Sequence, residues 1–386
     1  MAILYKRITL LRKVRKQMRF ILLILVGFLL YNSWPAIEEK LNIDFIDPIK
    51  TELDTLKENT DLPTFEDLED ISSMLNPPAA EGENQDKDLI NHGEPNLEPP
   101  EEQTFSVANI EIGDTKLDVE QRIGSPVRSS VNEYGTEWHA YHQNYSNFIM
   151  IAFDEQNKVA GLYTNQNLIS STTNVQHNTP KAEVHQQLGE PLEKVQKGMI
   201  FYQLQEDRDY DLFRMDNSYV SIFYDKHQNN TVTAIQIISE HLEDQRIDFY
   251  TKASDELKEG FEYQMFDLTN ATRVEHGLSI LEWDDQVRET ARKHSSDMAV
   301  NNYFNHTNLA GESPFDRMMN DDILFSVAGE NLAYGQTSSV FAHEGLMNSL
   351  GHRENILKAD FKQLGVGVAF NSESHPYYTQ NYYTQR

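Results

Sequence analysis

Leu364-Gly-Val-Gly-Val-Ala-Phe370 and Tyr377-Tyr-Thr-Gln-Asn-Tyr382 read as two neighbouring strands, short runs of β-branched and aromatic residues with turn formers between them. The chain before them is helical. Asp284 stands where a helix cap belongs, and Val287, Ala291 and His294 follow at helical spacing towards Met298. A second helix is predicted near 338–348. Earlier still, Phe261, Met265, Leu268, Ala271 and Thr272 fall on one helical face. Helices interleaved with strands from about residue 248 predict a layered α/β/α domain.

Ordered motifs run through the same third of the chain: Asn270-Ala-Thr-Arg273, Gly277-Leu-Ser-Ile-Leu-Glu-Trp283, Ala291-Arg-Lys-His-Ser-Ser-Asp-Met298, Phe304-Asn-His306-Thr-Asn308, Gly311-Glu-Ser-Pro-Phe-Asp-Arg317, Ala328-Gly-Glu-Asn331-Leu-Ala333, Met347-Asn-Ser-Leu-Gly-His352-Arg-Glu-Asn-Ile-Leu357 and Tyr378-Thr-Gln-Asn381. In these motifs residues 262–385 resemble the CAP superfamily (cysteine-rich secretory, antigen-5 and pathogenesis-related proteins, the SCP-like domain) in its bacterial cysteine-free branch. The resemblance implies an α-β-α sandwich over 255–386, with a cleft holding two histidines and acidic residues. His306, Glu330 and His352 match three of those positions. The fourth, an acid, falls near Ser349 here; Glu344, earlier on that helix, is a candidate substitute. Leu346 stands where Trp is usual and Leu350 where Pro is usual, which bears on the rim of the cleft rather than the fold.

Two imidazoles and a carboxylate meeting in a cleft have three roles open to them. They can hold zinc or a similar divalent ion with a water in the open position. They can act as acid and base. They can also form a hydrogen-bonded cluster that ties loops together. Spacings of 24 and 22 residues carry no geometry and leave all three open. Asn331 is expected to support the loop beside Glu330 through side-chain to backbone bonds. Three other motifs fail. His343-Glu-Gly-Leu-Met347 begins like a metalloprotease helix, but a thioether replaces the second imidazole. Ser349 precedes His352 by three residues without a nucleophile elbow around it. Asp114, Asp118 and Glu120 lack the spaced loop and glycine of a calcium site.

Upstream the chain repeats itself. Val119-Glu-Gln-Arg-Ile-Gly124-Ser-Pro126 matches Val184-His-Gln-Gln-Leu-Gly189-Glu-Pro191 at an offset of 65. Each copy is a short helix stopped by glycine, with Thr115 and Thr179 at the starts. Each runs on into a β-hairpin: Phe148–Phe153 with Val159–Tyr163, and Tyr219–Tyr224 with Val232–Ile238. Two helix-plus-hairpin copies predict an α+β domain over 105–245. It resembles the domain that accompanies CAP modules in membrane-anchored proteins of Bacillus-like bacteria. His139, His142, His177 and His185 lack ligand spacing and read as ordinary surface or packing residues.

The amino terminus carries a different message. Of 386 residues, 33 are Lys or Arg and 61 Asp or Glu, a net charge of −28. Residues 1–19 hold seven of the cations and no acid, so the rest carries 26 against 61, or −35. A body that acidic repels phosphate backbones, which excludes general nucleic-acid binding. The apolar run from Phe20 to Trp34 follows the basic flank. It predicts an uncleaved single-pass anchor over 20–34 with the amino terminus in the cytoplasm. A cleaved signal peptide, and so a secreted protein, is the alternative, though Tyr-Asn-Ser-Trp-Pro-Ala offers bulky residues where cleavage needs small ones. Residues 35–104 form an acidic, proline-containing spacer, with helical patterns at Ile46–Leu56 and Phe65–Leu75 and disorder expected after 76. Cysteine is absent, which removes disulfides, thiolate metal sites and lipidated cysteine, and fits a Gram-positive surface protein.

The expectation is a membrane-anchored extracytoplasmic protein: a binding or scaffolding module of the cell envelope, taking a divalent metal or a small or envelope-derived ligand in the His/Glu cleft, with a protein partner as a further reading that works through the duplicated domain. The alternative is a metal-assisted hydrolase of peptide or envelope material.

Overall fold

The computed structural model describes residues 95–386 apart from Gly198 and Asp207. The basic flank, the 20–34 anchor and the spacer up to residue 94, with its two helical patterns, lie outside the described residues. Among the described residues no helix is long and apolar enough to cross a membrane.

Strand β1 (Phe105–Val107) opens the first copy of the repeat, followed by α1 (Lys116–Ile123), β2 (Arg128–Val131), β3 (Glu137–Gln143), β4 (Ser146–Phe153), β5 (Val159–Thr164) and β6 (Ile169–Ser171). The second copy runs through α2 (Lys181–Leu188), β7 (Lys194–Lys197), β8 (Ile200–Gln203), β9 (Tyr210–Met215), β10 (Ser218–Asp225), β11 (Thr231–Ser239) and α3 (Glu240–Gln245). Thr115 caps α1 as expected, accepting from the Asp118 amide. Thr179 does not cap α2. Pro180 holds that position without a side-chain bond, and the Thr179 hydroxyl accepts from the Gln176 amide instead.

The two copies merge into one antiparallel sheet of order β2-β3-β4-β5-β11-β10-β9, joined where β5 pairs with β11. The start of each helix is pinned to the turn of its own hairpin, Thr115 to Lys158 and Pro180 to Thr231. Both faces of this sheet are covered. Along β4, Ile149, Ile151 and Phe153 enter one core while Phe148, Met150 and Ala152 enter the other. That is why these strands read as unbroken apolar runs rather than alternating ones.

The second core is shared with the carboxy-terminal region: α4 (Asp255–Glu275), β12 (Glu282–Trp283), α5 (Asp285–Asn301), α6 (Pro314–Asn320), β13 (Phe325–Tyr334), α7 (Ser339–Asn348), α8 (Leu350–Ile356), β14 (Gln363–Phe370) and β15 (Pro376–Gln385). Its sheet has the order β12-β14-β15-β13. Helix α5 lies so close to β14 that a methyl group on Gly365 or Gly367 would sit 2.3 or 2.1 Å from a backbone nitrogen of the helix. Glycine at both positions of Leu364-Gly-Val-Gly therefore fits a helix approach rather than weak strand propensity.

The two domains read from the sequence, 105–245 and 255–386, share a core: Trp138, Phe148 and Phe223 pack in one cluster with Phe261, Leu346 and Tyr378. Helix α4 runs against β2, where a methyl on Gly260 would fall 2.0 Å from the Val131 carbonyl oxygen. The apolar face of the repeat sheet needs a cover, and α4 and α7 supply it. The end of the spacer is also ordered. The Glu111 carboxylate accepts from the amides of Glu101, Glu102 and Gln103 at 2.7, 3.0 and 2.7 Å. The Thr104 amide donates to Asp216 at 2.6 Å.

Candidate functional site

His306 lies in the loop after α5, which ends at Asn302 with a left-handed backbone (φ 53°). Buried His294, about two turns before the end of that helix, meets the Asn305 carbonyl at 2.9 Å and holds the loop down. Glu330 projects from β13, its side chain 1% exposed, and His306 is about half exposed beside it. His306 Nδ1 donates to Glu330 Oε1 at 2.9 Å. The other carboxylate oxygen accepts from Arg317 of α6 at 2.5 Å. Arg317 also donates to the carbonyls of His306 (2.7 Å) and Glu312 (3.1 Å). A capping box between Ser313 and Asp316, with Pro314 at the first helical position, fixes the short helix that aims this arginine.

His352 arrives from α8. Its Nδ1 meets Ser349 Oγ at 2.7 Å. Ser349 stands at the junction of α7 and α8 and makes no capping bond there. Burial holds His352 below the ordinary imidazole range, and the nearby charge of His306 adds to the effect. Asn331 donates to the His352 carbonyl at 3.1 Å. Asn355 bridges the Glu330 carbonyl (3.2 Å) and the Asn331 side-chain oxygen (2.9 Å). His306, Glu330, His352, Asn331 and Ser349 thus belong to one cluster. Glu330 and Asn331 lie on a strand, not in the expected loop, and Asn331 supports α8 rather than its own segment.

Glu344 does not join them. It is buried against the repeat domain, where Tyr163 donates to it at 2.6 Å, and burial pushes its carboxyl up to about 7. Its neighbour His343 is buried too, 2.7 Å from Thr272 Oγ1, and burial pulls it down to about 3. The helix that opens like a metalloprotease motif is therefore a packing helix of the seam.

The residue missed by sequence reasoning is Arg317. It stands in a quoted motif, and a buried carboxylate demands a counter-charge, so the signal was present. With Arg317 and His306 on its two oxygens, Glu330 is compensated. A zinc ion on Glu330 would have to displace the His306 bond from Oε1 or the guanidinium from Oε2. Among the described residues no group of three or more His, Asp or Glu is gathered closely enough to hold a metal ion. As arranged here, His306, Glu330 and His352 do not form a three-ligand set for a divalent cation. Ser349 and His352 make one link of a nucleophile relay, but the carboxylate stands behind His306, not His352, so the orienting third group is missing. What the arrangement offers is a pair of partly exposed imidazoles on a rigid, charge-balanced floor.

Both halves have relatives. Residues 112–249 match the CAP-associated N-terminal family and residues 266–382 the cysteine-rich secretory protein family. The chain is 30% identical over 282 residues to "Uncharacterized membrane protein YlbC" of Bacillus subtilis (strain 168), covering 69% of this chain and 80% of that protein. It is 40% identical over 122 residues to YkwD of the same organism, spanning 32% of this chain and 46% of that one. The chain belongs to the cysteine-rich secretory protein (CAP) family, in the form that carries the CAP-associated domain. A crystal structure of an extracellular SCP-domain protein from Bacillus anthracis superposes with a TM-score of 0.63 at 26% identity, over 75% of this chain and 98% of that one. A cysteine-rich secretory protein from Staphylococcus aureus has the same fold at 13% identity, with a TM-score of 0.57 over 74% and 97%.

Proposed function

We propose that this protein is a binding or scaffolding module of the cell envelope, held at the membrane by residues 20–34, with the His306/His352 pair as its recognition surface. The observation that carries the reading is the saturation of Glu330. A carboxylate bonded to a guanidinium and an imidazole organises a surface, and is poorly placed to take a proton during a reaction. The membrane attachment is supported by the basic flank with its apolar run, and by the name of the Bacillus subtilis relative, a membrane protein.

The test uses the full chain and its His306→Ala and His352→Ala variants, incubated with isolated cell walls and washed. Retention of the parent protein, reduced several-fold in both variants while each still unfolds cooperatively with a melting temperature only a few degrees lower, is the expected result, because each variant gives up one side-chain hydrogen bond. Equal retention of all three would remove the pair from recognition. Cleavage of wall material that disappears in His352→Ala would replace the binding reading with the hydrolase.

A further inference from the structure

A second concavity lies away from the histidine pair. It is a groove of about 670 Å³ between the repeat sheet, the β7–β8 hairpin and the start of α7. Two aromatic groups line it. Tyr210, Phe223 and Phe341 pack edge-on with ring centroids 5.0–5.7 Å apart. Tyr202 stacks on Phe249 at 4.8 Å, and Phe249 meets Tyr250 at 5.2 Å. Of the charges along the groove, Lys226 pairs with Asp209 at 3.1 Å and Arg246 with Glu243 at 2.9 Å, while Arg208 donates to the Gln205 and Leu192 carbonyls at 2.9 and 2.7 Å. Gln236 lines it while 2% exposed, and its amide nitrogen has no hydrogen-bond partner.

From these features we infer that the groove is a site for a neutral oligosaccharide. A pyranose ring has apolar C–H faces and a rim of hydroxyls. Aromatic side chains take the faces, and amide and phenol groups take the rim. Two of the three cations face carboxylates and Arg208 is held by carbonyls, so the groove carries little charge that would select an ion over a neutral ligand. Lining rings that are mostly tyrosine, with glutamines beside them, suit a hydroxylated ligand better than an acyl chain. The buried Gln236 amide is a donor awaiting an acceptor. The inference rests on the envelope location proposed above, where polysaccharide is at hand, but it uses a different surface.

The test is titration calorimetry of the full chain in nanodiscs with chitotetraose, alongside tetra-alanine and lauric acid. Chitotetraose should bind with a sub-millimolar Kd, weakened at least about tenfold in Tyr202→Ala and in Gln236→Leu. Gln236→Leu should melt no lower than the parent, because the lost amide nitrogen has no partner in the folded protein. No heat with chitotetraose up to about 10 mM overturns the inference, as does parent affinity in both variants. Binding of only tetra-alanine or lauric acid overturns it in favour of a peptide or acyl ligand. Wall retention that depends on His306 and His352 but comes without chitotetraose binding would sink this site alone and leave the imidazole surface standing.

Discussion

Glu330 and Glu344 are both buried glutamates of the same family domain, 7% and 6% exposed, yet they are built in opposite ways. Glu330 has a guanidinium on one oxygen and an imidazole on the other. Glu344 has a phenol from the repeat domain, and the nearby charge of Asp225 works against its ionisation. Arg353 lines a small cavity together with Glu344 but is spent on Asp225 at 2.8 Å. The first carboxylate ties α6, β13 and the His306 loop together through charge. The second closes a seam between two sheets and keeps its proton until the pH nears 7. Burial alone does not set what a carboxylate does; the supply of a cation does.

Removing the cation is the harshest way to break the comparison. Arg317→Ala strands the Glu330 charge and frees the His306 carbonyl, and should cost about 3–5 kcal/mol in denaturant unfolding. A loss below about 1 kcal/mol would mean that Glu330 does not depend on Arg317. Glu344→Gln sharpens the other side. The folded carboxyl titrates at about 7 against an ordinary 4.5, so the native state holds the proton that the unfolded chain gives up. Its contribution is complete below about pH 4.5 and falls away as pH rises to about 7, by roughly 3 kcal/mol. Parent minus variant stability should therefore decline across that window and flatten above it. A flat difference curve would remove Glu344 as the titrating group. The smallest effect is expected from Ser349→Ala, about 1 kcal/mol. His352, followed by NMR, should still titrate below its ordinary range, because burial rather than Ser349 is the main cause. A return to the ordinary value would contradict this.

Much of the fold was legible because local and tertiary signals agreed. The apolar runs at 148–153 and 232–238, and the helical face at Phe261, Met265 and Leu268, all lie where their periods placed them. Strand β13 was hidden, because Ala-Gly-Glu-Asn interrupts a strand pattern with groups that serve the cleft and the packing of Phe361. The shared core was hidden for another reason: an apolar run shows that a face is buried, not by what. His306, Glu330 and His352 were reached through a family likeness, since residues 24 and 22 apart become neighbours only when the loop after α5, strand β13 and helix α8 pack together. The role of Arg317 needed the geometry, although the buried acid called for a partner.

The grip of Glu111 on three successive amides has a mechanical side. Any pull on the chain ahead of residue 96 meets first the bonds of Asn96 and Glu98 to Asn109 and of Glu98 to Ser170, then those three bonds, Thr104 on Asp216 and the pairing of β1 with β6. This short strand can peel while the seam stays closed, because neither Glu111 nor β1 belongs to the core shared with α4. A protein held by its amino terminus would thus have a sacrificial fastening at the point of strain, with both candidate binding surfaces downstream of it.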